Sequence, residues 1–358
     1  MRHTMQDSLF DDPNEPAPIS PAPKKRSPQA AAAKVQPAQP DVSQQALAKA
    51  LPPLLRLGTS SWFFPGWAGM VWEGDYEQSV LSKHGLKAYA QHPLLRTVSV
   101  DRSFYRALSA SQFAAYAAQV PEDFRFVVKA PSLVADALVR GEDGRGMQPN
   151  PAFLDPALAA QEFVQPALDG LGAKAGALVF QLSPLPASMT MTQMPDLLQR
   201  LRRMLLALPA LRPAAPDGVV AVEVRNPEFL TPAFADVLRE AGAAYCLGLH
   251  PKMPPIAEQL PVLRALWPGP LVCRWSLNRM HGAYGYEEAK QLYEPFDKLV
   301  DPDPETRETL ARVIAATTGA GHAAYVTINN KAEGSAPLSV LALAEALAQR
   351  GAPSTTAT

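Results

Sequence analysis

Glu223 and Arg225 stand two positions apart at the end of the run Val219–Val224. On a β-strand they point to one side, while Val222 and Val224 point to the other. If that side faces the interior of the fold, each charge needs a partner, because an unpaired buried charge is costly. Two readings stay open. One is an ion-pair network that closes the core. The other is a site where Glu223 serves as general acid or base, or anchors a ligand, and Arg225 clamps an anion. Lys129 ends the apolar run Phe126-Val127-Val128. It either pairs with Glu223 or holds a phosphate or carboxylate, with an imine-forming role as a third option. Arg274, after Leu271-Val272-Cys273, carries the same structural and anion-holding readings.

These residues need elements that bring them together. Eight β-rich runs alternate with helical segments: Leu55–Thr59, Thr97–Val100, Phe124–Lys129, Ala177–Gln181, Val219–Val224, Ala244–Leu247, Leu271–Trp275 and Ala324–Ile328. Helices are expected at 81–90, 109–119, 156–168, 197–208, 232–240, 304–317 and 338–349, with Ser109 as an N-cap and Gly242 as a stop. Eight strands, most followed by a helix, indicate an α/β chain closed as a (β/α)8 parallel barrel. A doubly wound open sheet is the structural alternative, but Gly58-Thr59-Ser60-Ser61-Trp62 lacks its glycine-rich phosphate turn.

In a barrel the carboxyl ends of the strands build the active face. Seven of the eight expected strands run into polar residues there. Ser60, Ser61 and Trp62 follow the first strand; Asp101, Ser103 and Tyr105 follow the second. Lys129, Gln181, Glu223 with Arg225, Arg274 with Trp275, and Asn329-Asn330-Lys331 complete the set. Asn329 and Asn330 would orient a substrate through amide hydrogen bonds. The aromatic first loop, with Trp62, Phe63, Phe64, Trp67 and Trp72, either packs as core or stacks a base or sugar ring.

Composition narrows the classes. The 358 residues are 47% hydrophobic and carry a net charge of −1, which excludes a strongly basic, histone-like binder but not a local basic patch. No membrane span and no secretory leader are expected, which points to a cytoplasmic protein. Two cysteines, Cys246 and Cys273, cannot make a disulfide framework or a four-cysteine zinc site, and they read as small buried residues. None of the six histidines forms a His-x-His or His-x-x-x-His pair. No cofactor or metal site is predicted, with a divalent metal on Glu223 and Asp101 left open. No Gly-x-Ser-x-Gly elbow marks a serine nucleophile.

Residues 1–53 are expected to form a disordered tail rich in Pro, Ala and Gln, ahead of a barrel domain at 54–352. Within that tail, Gln6-Asp7-Ser8-Leu9-Phe10 resembles the short peptide that binds the bacterial sliding clamp. Gln6, Ser8, Leu9 and Phe10 match that pattern, and Asp7 departs from it.

From Leu54 to Gln349 the chain resembles the YecE-like family, domain of unknown function family 72. The motifs are Leu57-Gly58-Thr59-Ser60-Ser61-Trp62, Ser103-Phe104-Tyr105-Arg106, Phe124-Arg125-Phe126-Val127-Val128-Lys129 and Phe180-Gln181-Leu182-Ser183-Pro184. Val222-Glu223-Val224-Arg225 and Asn329-Asn330-Lys331-Ala332-Glu333-Gly334-Ser335-Ala336 complete them. The resemblance implies a (β/α)8 barrel and no settled activity. This chain has Ser99-Val100-Asp101 where the family commonly has Glu-Ile-Asn. Ala135-Asp136 stands near the place of a Thr-His pair, and Arg225-Asn226 replaces Arg-His.

The favoured function is an enzyme, a hydrolase or lyase, that binds a small phosphate-bearing anion. Glu223 and Lys129 form its catalytic set, and Lys129, Arg225 and Arg274 clamp the anion. The alternatives are a nucleic-acid-binding or -processing protein recruited to the sliding clamp, and a non-catalytic sensor or scaffold.

Overall fold

The computed structural model describes residues 34–140 and 147–351. Eight parallel strands close into a barrel whose spatial order follows the chain. They are β1 Leu55–Thr59, β2 Thr97–Val100, β3 Arg125–Lys129, β4 Ala175–Gln181, β5 Val219–Glu223, β6 Ala244–Leu249, β7 Leu271–Trp275 and β8 Ala324–Ile328. β8 returns to β1 in register from Leu55 opposite Ala324 to Thr59 opposite Ile328. That closure leaves no sheet edge, so the open-sheet alternative is excluded. Gly58 is required where β1 approaches β2, since a Cβ there would lie 1.8 Å from the Thr97 carbonyl oxygen.

Side chains alternate between helices and axis, apart from a register shift where β4 begins at Ala175. Leu57, Val98, Phe126, Leu178, Val222 and Ile328 join the large core beneath the helices. Val127, Ala177, Val179, Ala221, Ala244, Cys246, Val272 and Tyr325 fill the barrel interior. Small residues there leave room for the Tyr325 ring, so the lower barrel is a packed core. One step further along the same phase the interior turns polar, at Lys129, Gln181, Glu223 and Arg274. Cys246 and Cys273 are buried and unpaired, and burial raises both thiols well above their ordinary range.

Several helices differ from the periodicity reading. The helix expected at 81–90 breaks at Gly85 into Gln78–His84 and Leu86–Tyr89. Ile256–Ala265 carries Pro261 inside it, which hides its helical signal. Ser109 does cap Ala110–Ala117, through a capping box with Gln112.

The folded unit also begins before residue 54. Val35 is buried, and the segment pairs with the first loop through Ala38 N to Val71 O (2.9 Å) and Glu73 N to Gln36 O (3.0 Å). Asp41 caps the helix Val42–Ala50, which packs on the final helix Ala336–Gly351. Leu47, Ala48 and Leu51 reach the core. Local composition misses this because the apolar partner is supplied some 290 positions later in the chain. Gln6, Leu9 and Phe10 lie outside the described residues. No helix of the described residues is long and apolar enough to cross a membrane.

Candidate functional site

Glu223 is the last residue of β5, faces the axis and has 0% of its surface exposed. Its Oε2 lies 2.7 Å from Arg274 Nη1, and its Oε1 lies 2.7 Å from Arg225 Nη2. The Arg225 contact is close but poorly aligned, so it acts through charge rather than as a directed hydrogen bond. Arg274 continues the chain of charges. Its Nη2 donates to Asp101 Oδ2 (2.7 Å), and its Nη1 donates also to Gln181 Oε1 (2.9 Å). Ser99 Oγ donates to the other Asp101 oxygen (2.5 Å). Gly248 keeps the carboxylate's place clear, since a Cβ there would stand 3.3 Å from Glu223 Oε1. Asp101 and Glu223, considered as magnesium ligands, thus both turn an oxygen toward Arg274 instead.

Electrostatics follow from this geometry. Burial alone would push the Glu223 carboxyl up, but Arg225 and Arg274 outweigh it and hold it below the usual range. Burial would lower Arg274, and Asp101 with Glu223 reverses that. Glu223 and Arg274 therefore stay ionised together.

Lys129 is different. It ends β3 facing the same axis, with Ser103 Oγ donating to its backbone oxygen (2.6 Å) and to that of Val100 (2.7 Å). Its Nζ lies 3.5 Å from the centre of the Phe104 ring. No carboxylate lies within ion-pair distance among the described residues. Burial pushes the ammonium down to about 7, with Asp101 opposing and Arg274 assisting. Lys331 behaves similarly. It is buried against the Tyr286 ring (4.6 Å), and burial with Lys290 lowers it to about 8. His250 is pushed down to about 3 by burial, Arg225 and Lys252, so its imidazole is neutral.

These groups line a cleft of about 780 Å3 over the carboxyl end of the barrel. Lys129, Arg225, Lys252, Arg274, Lys290 and Lys331 face Asp101, Glu287 and Glu294 across it. Phe63, Phe64, Tyr105, Tyr284, Tyr286 and Phe296 supply its aromatic wall and mouth. Phe296 holds a left-handed backbone at φ 71 and packs on Phe64 at 5.4 Å, fixing that wall. The cleft size and mix of apolar walls with convergent polar groups suit a small ligand.

The structure brings Asp101, Tyr105, Lys129, Gln181, Arg225, Arg274 and Asn329 to this cleft. Tyr105 stands at the mouth, 63% exposed. Glu223 lies beneath the floor. Trp62 and Asn330 do not line the cleft. Trp62 is buried in the core between Phe63 and Tyr116. Asn330 Oδ1 accepts from the Trp67 indole (3.2 Å) and from Ala336 N (2.8 Å), which joins the first loop to the last helix. Asn329 Oδ1 accepts from Lys331 N (3.0 Å) and shapes that turn. Ser276 and Lys331 were within reach of sequence reasoning. Ser276 follows Arg274 by two positions, as Arg225 follows Glu223. Tyr286 and Lys290 sit on the helix Tyr286–Tyr293 after β7, and no local signal marks them as site residues.

Among the described residues no group of three His, Cys, Asp or Glu side chains could hold a metal ion. Two solved structures share the fold. A DUF72 family protein from Enterococcus faecalis is 19% identical, with 82% of this chain and 95% of that one covered and a TM-score of 0.51. A DUF72 family protein from Thermotoga maritima is 18% identical, with 82% and 98% covered and a TM-score of 0.51. No curated protein matches the chain. The family profile described as "Protein of unknown function DUF72" matches residues 56–358, so this barrel, with its buried charge chain and cationic cleft, belongs to the DUF72 family.

Proposed function

We propose that this protein is an enzyme that binds a small phosphate- or carboxylate-bearing substrate in the cleft and moves a proton through Lys129. One observation carries the reading. Lys129, beside Arg225 and Arg274, and Lys331 enter the same cleft with no carboxylate at ion-pair distance among the described residues. A folded protein rarely buries cations without partners unless a ligand supplies the counter-charge. Arg225 Nη1 and Arg274 Nε add buried donors without a partner among the described residues.

The roles divide by protonation. Glu223 is already committed to two guanidiniums and is shut off from the cleft, so we place it as a positioning residue that holds them in line. Lys129 titrates near neutrality, which suits an acid or base at physiological pH. Arg225 and Arg274 hold the anion. Gln181 and Ser276 orient Arg225 from 3.4 and 3.5 Å. The nucleic-acid reading gains no observation, because the clamp-like peptide lies outside the described residues. A non-catalytic sensor would share the cleft but show no turnover.

The test is thermal unfolding of wild type, Lys129→Met and Lys331→Met with inorganic phosphate, sugar phosphates and carboxylic acids. These variants remove cations without stranding a buried carboxylate, which Arg225→Ala would do. A ligand at 100 times its Kd adds about 2.7 kcal/mol to wild type. Both variants should lose about half or more of that stabilisation, and any ligand found should be turned over by wild type but not by Lys129→Met. Undiminished stabilisation in both variants would remove the anion reading. Equal turnover by Lys129→Met would remove the proton-transfer role.

A further inference from the structure

We infer that Lys129 is an amine nucleophile, forming an imine with an aldehyde or ketone that also bears a phosphate or carboxylate. The inference rests on the anion-binding reading above and adds the second functional group of the substrate. Three features of the geometry support it. The Lys129 backbone is fixed at the end of β3 by Ser103, so its amine is presented from a rigid strand rather than from a loop. Its Nζ rests on the Phe104 ring at 3.5 Å instead of on a carboxylate, which leaves the amine close to an apolar surface and open to the cleft. Arg225 and Arg274, held by Glu223, stand on the same floor to take the anionic group, which would set the carbonyl against the amine.

The charged groups around Lys129 come from several strands. Asp101 after β2 and Glu223 on β5 favour the ammonium, while Arg274 on β7 and Arg225 after β5 disfavour it. Burial outweighs their sum and brings the amine to about 7, so a large share is unprotonated at neutral pH. Lys331, the other buried lysine of the cleft, sits in the loop after β8 between Tyr286 and Phe296, away from that pair of arginines.

The step balances without a further reactant. The Nζ lone pair adds to the carbonyl carbon, and the carbonyl π pair moves to oxygen. The oxygen then leaves as water with the two hydrogens of the amine, and a C=N bond remains.

The full-length protein is incubated with glyoxylate, pyruvate or dihydroxyacetone phosphate, each with sodium cyanoborohydride, and the adduct is located by peptide mass spectrometry. Hydroxyacetone serves as the uncharged control. Lys129 should be labelled about tenfold or more faster than surface lysines, whose pKa near 10.4 keeps them protonated at pH 7. Labelling should climb with pH to about 7 and level off above it. Excess inorganic phosphate should protect Lys129, and Lys129→Arg should abolish the label while keeping stabilisation by phosphate.

Adduct on Lys331, or spread evenly over the lysines, overturns the inference. So does labelling by hydroxyacetone as fast as by the anionic carbonyls. Stabilisation by phosphate with no adduct sinks the imine and leaves the anion site standing. Absence of both sinks the two together.

Discussion

The two ends of the barrel use charge in opposite ways. At the amino-terminal end Arg125 and Arg96 each have their own acid. Arg125 pairs with Asp217 (2.7 Å), whose side chain is 46% exposed, and Arg96 pairs with Asp123 (2.6 Å) at the surface. A cleft of about 630 Å3 opens there too, lined by Arg56, Asp217 and Tyr325. The Tyr325 hydroxyl donates to the Asp217 backbone oxygen (2.8 Å), and Arg56 Nη1 donates to the Pro53 carbonyl (2.6 Å). At the carboxyl end the charges are buried and shared, running Asp101–Arg274–Glu223–Arg225, with Lys129 and Lys331 left over. An exposed pair such as Arg96–Asp123 adds little to stability. Buried chains of the second kind are costly to build and destructive to break. The excess of cation at one end is what separates a ligand site from a structural rim.

The widest separation should appear on neutralising one acid at each end. Glu223→Gln leaves buried Arg225 without its anion and Arg274 with Asp101 alone, and should lose about 3–5 kcal/mol. Asp123→Asn, whose pair with Arg96 is exposed at the other end, should lose no more than about 1 kcal/mol. Guanidinium unfolding midpoints read both, and equal losses would erase the contrast. The Glu223 term has a defined pH window. Its folded pKa lies below the unfolded value near 4.3, so its stabilisation is complete above that value. The gap between wild type and Glu223→Gln should therefore hold from pH 7 down to about 4 and close only as pH falls further.

Lys129→Met should do the reverse and stabilise the protein, by about 2 kcal/mol at pH 6, because a buried amine that must be charged costs folding energy. The sign is fixed by the shift. The folded pKa near 7 lies below the unfolded value near 10.4, so the unfolded chain binds more protons between them. Wild type gains stability from this group as pH rises through that window. The advantage of Lys129→Met should thus be largest below pH 7 and fade by pH 10. Urea unfolding at both pH values checks this, and a pH-independent difference would contradict it.

A smaller effect compares cations at the two ends. Lys331→Met should weaken phosphate binding about tenfold, as expected for losing one charge-assisted contact. Arg96→Met, at the opposite end, should leave the phosphate affinity unchanged. Isothermal titration of both variants reads the difference, and equal weakening would show that only long-range charge is felt. Asn330→Ala should cost about 1–3 kcal/mol by stranding Ala336 N and the Trp67 indole, yet leave phosphate affinity alone.

Much of the fold was legible before any coordinates. β-branched runs spaced by amphipathic helices specify a barrel, because strand period and helix period are local properties of the backbone. The inward phase of Glu223 and Arg225 was equally legible, since two positions on a strand share a face. Asn330 was misread as facing a substrate. Adjacent residues at a strand end look alike in sequence, but the turn after β8 sends Asn329 toward the cleft and Asn330 into the Trp67 contact. Trp62 was ambiguous for the same reason, and packing against Tyr116 settled it as core.

The sequence by itself determined the eight-strand barrel and the face on which its polar residues gather. Only the tertiary structure decided their chemistry. Glu223 became a clamped carboxylate because β7 brings Arg274 to one of its oxygens and the turn after β5 brings Arg225 to the other. Lys129 became a near-neutral amine because Phe104, rather than an acid, covers its nitrogen. Protonation depends on burial and on charges within a few ångströms, and those neighbours come from strands up to 173 positions apart in the chain.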